Sequence, residues 1–130
     1  MKILVVDDKK SVREYASKLL TQSGYTVTTA VNGLDGFEKA QKEEFNLYIV
    51  DHLMPLMNGV TLTKNLKQSS FCTVTPILFM TTQSTESVEG LPEYKFFNDI
   101  ITKPLNEDKF ISMVKRIISD VPSKNSGIKR

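Results

Sequence analysis

A chain of 130 residues with 40% apolar and 25% charged content fits one globular domain that buries roughly two-thirds of its unfolded surface. A net charge of +2 is too small to argue for nucleic acid, and a lone Cys72 excludes an intrachain disulfide and suits a reducing compartment. No apolar run nears the roughly 20 residues of a membrane span, and Met1-Lys2 leads into an apolar tetrad too short for a signal-peptide core. A cytoplasmic protein with no membrane insertion and no nucleic-acid partner is therefore expected.

Ile3-Leu4-Val5-Val6 is continuously apolar, as in a strand buried on both faces, and Asp7-Asp8 end it. Ser11 is the predicted cap of a helix carrying Val12, Tyr15, Ala16, Leu19 and Leu20 on one face, with Gly24 as its stop. Tyr25 to Ala30 reads as a second strand. Asn32-Gly33 turn the chain into a helix with Leu34, Phe37 and Ala40. Leu47 to Val50 form a third strand ending at Asp51, and Asn58-Gly59 open a helix with Val60, Leu62 and Leu66. Pro76 to Met80 form a fourth strand ending at Thr81-Thr82, and Ile100-Ile101 a fifth ending at Thr102-Lys103-Pro104. Asn106 caps a last helix with Phe110, Val114, Ile117 and Ile118. Between Thr82 and Ile100 the fourth helix is expected to be short or irregular, because Gly90 and Pro92 fall inside it and an interior proline costs about 3 kcal/mol.

Five strands alternating with five helices imply an α/β doubly wound (βα)5 three-layer sandwich on a parallel five-stranded sheet. Residues 1–121 form that domain. Residues 122–130 hold Lys124, Lys129 and Arg130 and no acid, and are expected to be a basic flexible tail.

Right-handed crossovers bring every strand's C-terminal end to one edge of the sheet, where ligands of such folds bind. Asp7, Asp8, Asp51, Thr81 and Lys103 all arrive there. Two like charges 4 Å apart in an effective dielectric of 20 repel by about 4 kcal/mol, too much to leave uncompensated in a domain stabilised by roughly 5–15 kcal/mol. Lys103 supplies one compensating charge and a divalent ion the rest. All-oxygen ligands without a His or Cys cluster favour Mg²⁺. A carboxylate beside Mg²⁺, an ammonium and a hydroxyl can accept a phosphoryl group, with Asp51 as nucleophile.

The paired Asp7-Asp8 after the first strand, "DHLMPLMNG" from Asp51 to Gly59, "MTT" at Met80 to Thr82 and "TKP" around Lys103 together resemble the receiver domain of bacterial response regulators, over about residues 1–120. The resemblance implies a flavodoxin- and CheY-like strand order 2-1-3-4-5. It implies that Asp51 accepts the phosphoryl group from a histidine kinase or histidine phosphotransfer protein. Asp8, Asp51 and the main-chain carbonyl of Leu53 would ligate Mg²⁺, with Asp7 acting through water. Lys103 would pair with a phosphoryl oxygen and Thr81 would be the switch hydroxyl, with Thr82 its rival. Lys103-Pro104 would carry the family's cis bond. The downstream protein target would dock at the face of the fourth helix, fifth strand and fifth helix. Such a chain, expected here to be a stand-alone receiver, is no enzyme beyond self-catalysed acceptance and slow autodephosphorylation; a phosphate sink, a phosphorelay intermediate or a degenerate interaction module are the alternatives.

The sequence departs from the family pattern at Ile100, where an aromatic reporter is usual, and at Tyr94-Lys95-Phe96-Phe97, which replaces a small-residue stretch and is either core packing or a docking patch. Leu53 and Gln83 hold the two positions flanking the attacking water, and leucine's lack of a polar handle implies slow self-hydrolysis. His52 reads as an exposed neighbour of the site. A haloacid-dehalogenase-type phosphatase needs an Asp two positions after its nucleophile, but Lys9 and Leu53 stand there. A flavin site would want a hydroxyl- and Gly-rich loop where "DDKKSV" is acidic.

Overall fold

The computed structural model describes residues 1–120. The expected basic tail, residues 122–130, lies outside the described residues, as does Val121. The apolar runs become β1 (Lys2–Val6), β2 (Thr26–Ala30), β3 (Leu47–Asp51), β4 (Ile77–Thr81) and β5 (Asp99–Thr102). They form one parallel sheet in the order β2-β1-β3-β4-β5, as expected. The helices between and after them are α1 (Lys10–Gln22), α2 (Gly33–Lys42), α3 (Gly59–Gln68), α4 (Thr85–Glu89) and α5 (Glu107–Asp120). Alternate strand residues feed two cores. Val6, Tyr48, Val50 and Phe79 face the layer of α2 and α3, while Val5, Ile49, Leu78 and Met80 face α1 and α5.

Asn32, Asn58 and Asn106 each accept a backbone N–H three residues on, from Asp35, Thr61 and Lys109, so all three side chains act as helix caps. The cap predicted at Ser11 is a correction. Helix α1 starts two residues earlier, at Lys10, with Lys9 at the cap position and no side-chain cap bond. The cause is Asp7, whose Oδ1 accepts the Lys9 N–H at 2.8 Å and turns the chain before Ser11 is reached. Gly24 follows α1 at φ 95°, the left-handed conformation that ends helices.

The apolar face expected for α2 is also corrected. Leu34 is exposed, and the buried stripe is Gly33, Gly36 and Ala40 with Phe37 packed beside it. A Cβ at Gly36 would sit 2.9 Å from Val6 Cγ2 and one at Gly33 2.2 Å from the Met57 carbonyl oxygen, so α2 lies too close to its neighbours for a side chain there. Tyr15 is likewise exposed rather than buried in the face of α1.

The fourth helix is short, as expected. Helix α4 ends at Glu89 with Gly90 as its C-cap, and Pro92 opens a separate 3-10 turn, Pro92–Phe96, at a position whose missing N–H costs nothing. Among the described residues no helix is long and apolar enough to cross a membrane.

Candidate functional site

The C-terminal ends of β1, β3 and β5 deliver charge to one point. Asp7 is fully buried and Asp51 nearly so. Lys103 Nζ lies 2.7 Å from Asp7 Oδ2 and 2.7 Å from Asp51 Oδ1, so one ammonium bridges two carboxylates that come from distant segments. Asp8 completes the cluster: one carboxylate oxygen from each of Asp7, Asp8 and Asp51 lies within 4.8 Å of the other two. The Lys103-Pro104 peptide is cis.

The arrangement leaves an electrostatic deficit. Three carboxylates face one bridging ammonium, and Lys9 Nζ, 3.7 Å from Asp8 Oδ1, is largely exposed and so well screened. Asp8 Oδ1 and Asp51 Oδ2 are buried without a hydrogen-bond partner, which is costly for a carboxylate oxygen unless a cation or donor meets it. Burial pushes the Asp51 carboxyl above the usual carboxylate range; the Lys103 hydrogen bond opposes this, and the charges of Asp7 and Asp8 add to it. Burial pulls Lys103 down, but its bonds to Asp51 and Asp7 outweigh that and hold it above the ordinary lysine value. Two orphaned oxygens in an all-oxygen cluster fit a small, hard divalent cation such as Mg²⁺.

Asp51 opens on a recess of about 200 Å³ lined by Lys9, Asp51, His52, Leu53, Thr82 and Lys103. Leu53 and Thr82 are exposed at its rim. Thr81 is not on the lining. It is fully buried as the last residue of β4, and its Oγ1 accepts the Gln83 N–H at 2.9 Å. The site's backbone is held from behind. His52 N–H donates to the Met80 carbonyl, Gly59 N–H donates to the His52 carbonyl, and a Cβ at Gly59 would fall 2.0 Å from the Asp51 carbonyl oxygen.

Sequence reasoning missed three contacts. Arg13 Nη1 donates to the Asp7 carbonyl at 2.9 Å, fixing the strand end from α1; its place four residues after Lys9 on the helix was the available signal. The second is Asp7's bond to Lys9 described above, so Asp7 is both turn residue and cluster member. The third corrects His52. It is half-buried, with Nδ1 2.8 Å from Thr81 Oγ1 and its ring 5.0 Å from that of Phe79. Only the packing of β3 beside β4 reveals that pairing. The aromatic stretch divides: Phe97 stacks on Phe79 at 4.0 Å and 13°, Lys95 covers the Phe96 ring, and Tyr94 is exposed.

Comparison with known proteins places this geometry. The family model described as response regulator receiver domain matches residues 3–115. The transcriptional regulatory protein DltR of Streptococcus agalactiae is 32% identical over 117 residues, covering 88% of this chain and 50% of its own length. The chain thus spans about half the length of the curated relatives it matches. Among solved structures, the Vibrio cholerae chemotaxis protein CheY4 superposes with a TM-score of 0.82 at 35% identity, over 89% of this chain and 97% of its own. The Thermotoga maritima response regulator TrrA, solved in complex with Mg²⁺–BeF, gives 0.80 at 26% identity over 89% and 97%. The five-strand order, the clustered acids and the matched span agree, and the chain belongs to the response regulator receiver domain family of two-component systems.

Proposed function

We propose that Asp51 is the phosphoryl acceptor of this receiver and that a histidine kinase or histidine phosphotransfer protein is the donor. The observation that carries the reading is the ammonium of Lys103 set 2.7 Å from both Asp7 and Asp51 beside two buried carboxylate oxygens that have no hydrogen-bond partner. Asp8, Asp51 and the Leu53 carbonyl would hold Mg²⁺, with Asp7 acting through water; bound there, the ion supplies positive charge to the oxygens of the transferring group. An Asp51 carboxylate oxygen attacks phosphorus, the P–O bond forms, and the P–N bond to the donor imidazole breaks, its electron pair leaving with the nitrogen. Lys103 neutralises charge on the phosphoryl oxygens, and β3 and Gly59 keep the nucleophile in place. TrrA's complex with Mg²⁺–BeF supports the same cation here.

The output belongs to the same reading. Acceptance adds roughly −1.5 to −2 charge at Asp51, Thr81 turns its hydroxyl to the new group, and a protein target in the cytoplasm reads the face of α4, β5 and α5. The chain catalyses only its own acceptance and slow release. The chain spans 97% of CheY4 and half of DltR. The test of acceptance is intact mass after phosphoramidate treatment with and without Mg²⁺. A phosphoryl mass gain that needs Mg²⁺ and is lost in Asp51→Asn is expected; no Mg²⁺-dependent gain in the wild type overturns it.

A further inference from the structure

The hydroxyl of Thr81 has one proton and, among the described residues, one acceptor for it. Oγ1 already receives the Gln83 N–H at 2.9 Å, and its other partner is His52 Nδ1 at 2.8 Å. A buried hydroxyl keeps its proton hydrogen-bonded, so the proton points to Nδ1, which acts as acceptor with the imidazole neutral and protonated at Nε2.

The ring is held in this role. The His52 backbone N–H and C=O are bonded to Met80 and Gly59, and its ring lies 5.0 Å from that of Phe79, tilted by 48°, with Phe79 itself stacked on Phe97. A phosphoryl group on Asp51 offers acceptor oxygens only. Thr81 can meet it only by redirecting to it the proton that it now donates to His52 Nδ1.

We infer that His52 is a positioning residue of the switch: its Nδ1 binds the hydroxyl proton of Thr81 at rest and competes for it with the phosphoryl group on Asp51. The inference rests on Asp51 being the acceptor and adds to it a residue outside the acid cluster that sets how readily the switch turns. Removing the competing acceptor frees Thr81, so the activated state gains population by about the worth of one ordinary hydrogen bond, on the order of fivefold to tenfold.

The probe is beryllofluoride with excess Mg²⁺, titrated by calorimetry into wild type, His52→Phe and His52→Asn. Phenylalanine keeps a ring against Phe79 without an acceptor; asparagine keeps an acceptor oxygen near the place of Nδ1. His52→Phe is expected to bind beryllofluoride on the order of fivefold to tenfold more tightly, with affinity for Mg²⁺ alone unchanged, and His52→Asn to stay close to wild type. Nitrogen-15 spectra of the wild type should show Nδ1 unprotonated and hydrogen-bonded at rest, with that signal shifting on beryllofluoride addition and in Thr81→Val. Beryllofluoride affinity equal in wild type and His52→Phe, or a protonated Nδ1 at rest, overturns the role of His52 and leaves Asp51 standing. No beryllofluoride uptake by the wild type overturns both.

Discussion

Replacing Lys103 with methionine removes the ammonium while keeping a long apolar stem. Each of its two contacts, at 2.7 Å, is worth about 6 kcal/mol of gross attraction in an effective dielectric of 20, most of it offset by desolvation. The net cost of stripping one partner from a buried pair is about 3–5 kcal/mol, a large share of a domain's roughly 5–15 kcal/mol. Urea unfolding in EDTA at pH 7 should find that loss. The pH dependence gives it a signature. Without the ammonium the Asp51 carboxyl, already above its unfolded value, rises further. A carboxyl with a raised folded pKa binds more protons folded than unfolded, so its contribution is present at low pH and lost as pH rises through the folded value. The gap between wild type and Lys103→Met should therefore narrow from pH 7 towards pH 5. Lys103 itself, raised in the fold, contributes below the unfolded lysine value and ceases to contribute as pH climbs past the folded one, so the gap should also close in strong base. In an Asp51→Asn background the cost should fall by about 1–3 kcal/mol. A loss below about 1 kcal/mol that stays constant between pH 5 and pH 7 would refute the bridging ammonium as the element that holds the cluster.

The same sign applies to Asp51→Asn alone: in EDTA at neutral pH the variant should unfold at higher urea than wild type, the advantage shrinking towards acid, and equal midpoints across that range would contradict it. Gly59→Ala should cost at least about 2 kcal/mol and weaken Mg²⁺ binding, since the new methyl group would meet the Asp51 carbonyl; thermal melts with and without Mg²⁺ check both. The phosphorylated protein should lose its label slowly, because Leu53 gives the recess an apolar, exposed rim; a half-life of seconds, followed by intact mass, would count against this.

Much of the site was legible because strands buried on both faces must be apolar throughout, so a polar residue at a strand end stands out, and parallel winding brings those ends together. Asp7, Asp51 and Lys103 could be placed at one edge on that logic alone. What stayed hidden needed geometry that periodicity does not carry. The buried stripe of α2 runs through Gly33 and Gly36, which add nothing to an apolar count, whereas the apolar Leu34 beside them is exposed. The start of α1 was misplaced because the capping hydroxyl expected at Ser11 lost to a carboxylate from the strand before it. His52 could not be paired with Thr81 until β3 and β4 stood side by side with Asp51 level with Met80.

The glycine behind Asp51 constrains where a chemical event at that residue can be felt. With α3 abutting its carbonyl and the next peptide tied to both Met80 and Gly59, the main chain has no room to recoil. New bulk and charge on the acid must be accommodated by whatever around it can rotate. A rigid anvil at the back converts a local bond into motion at the front.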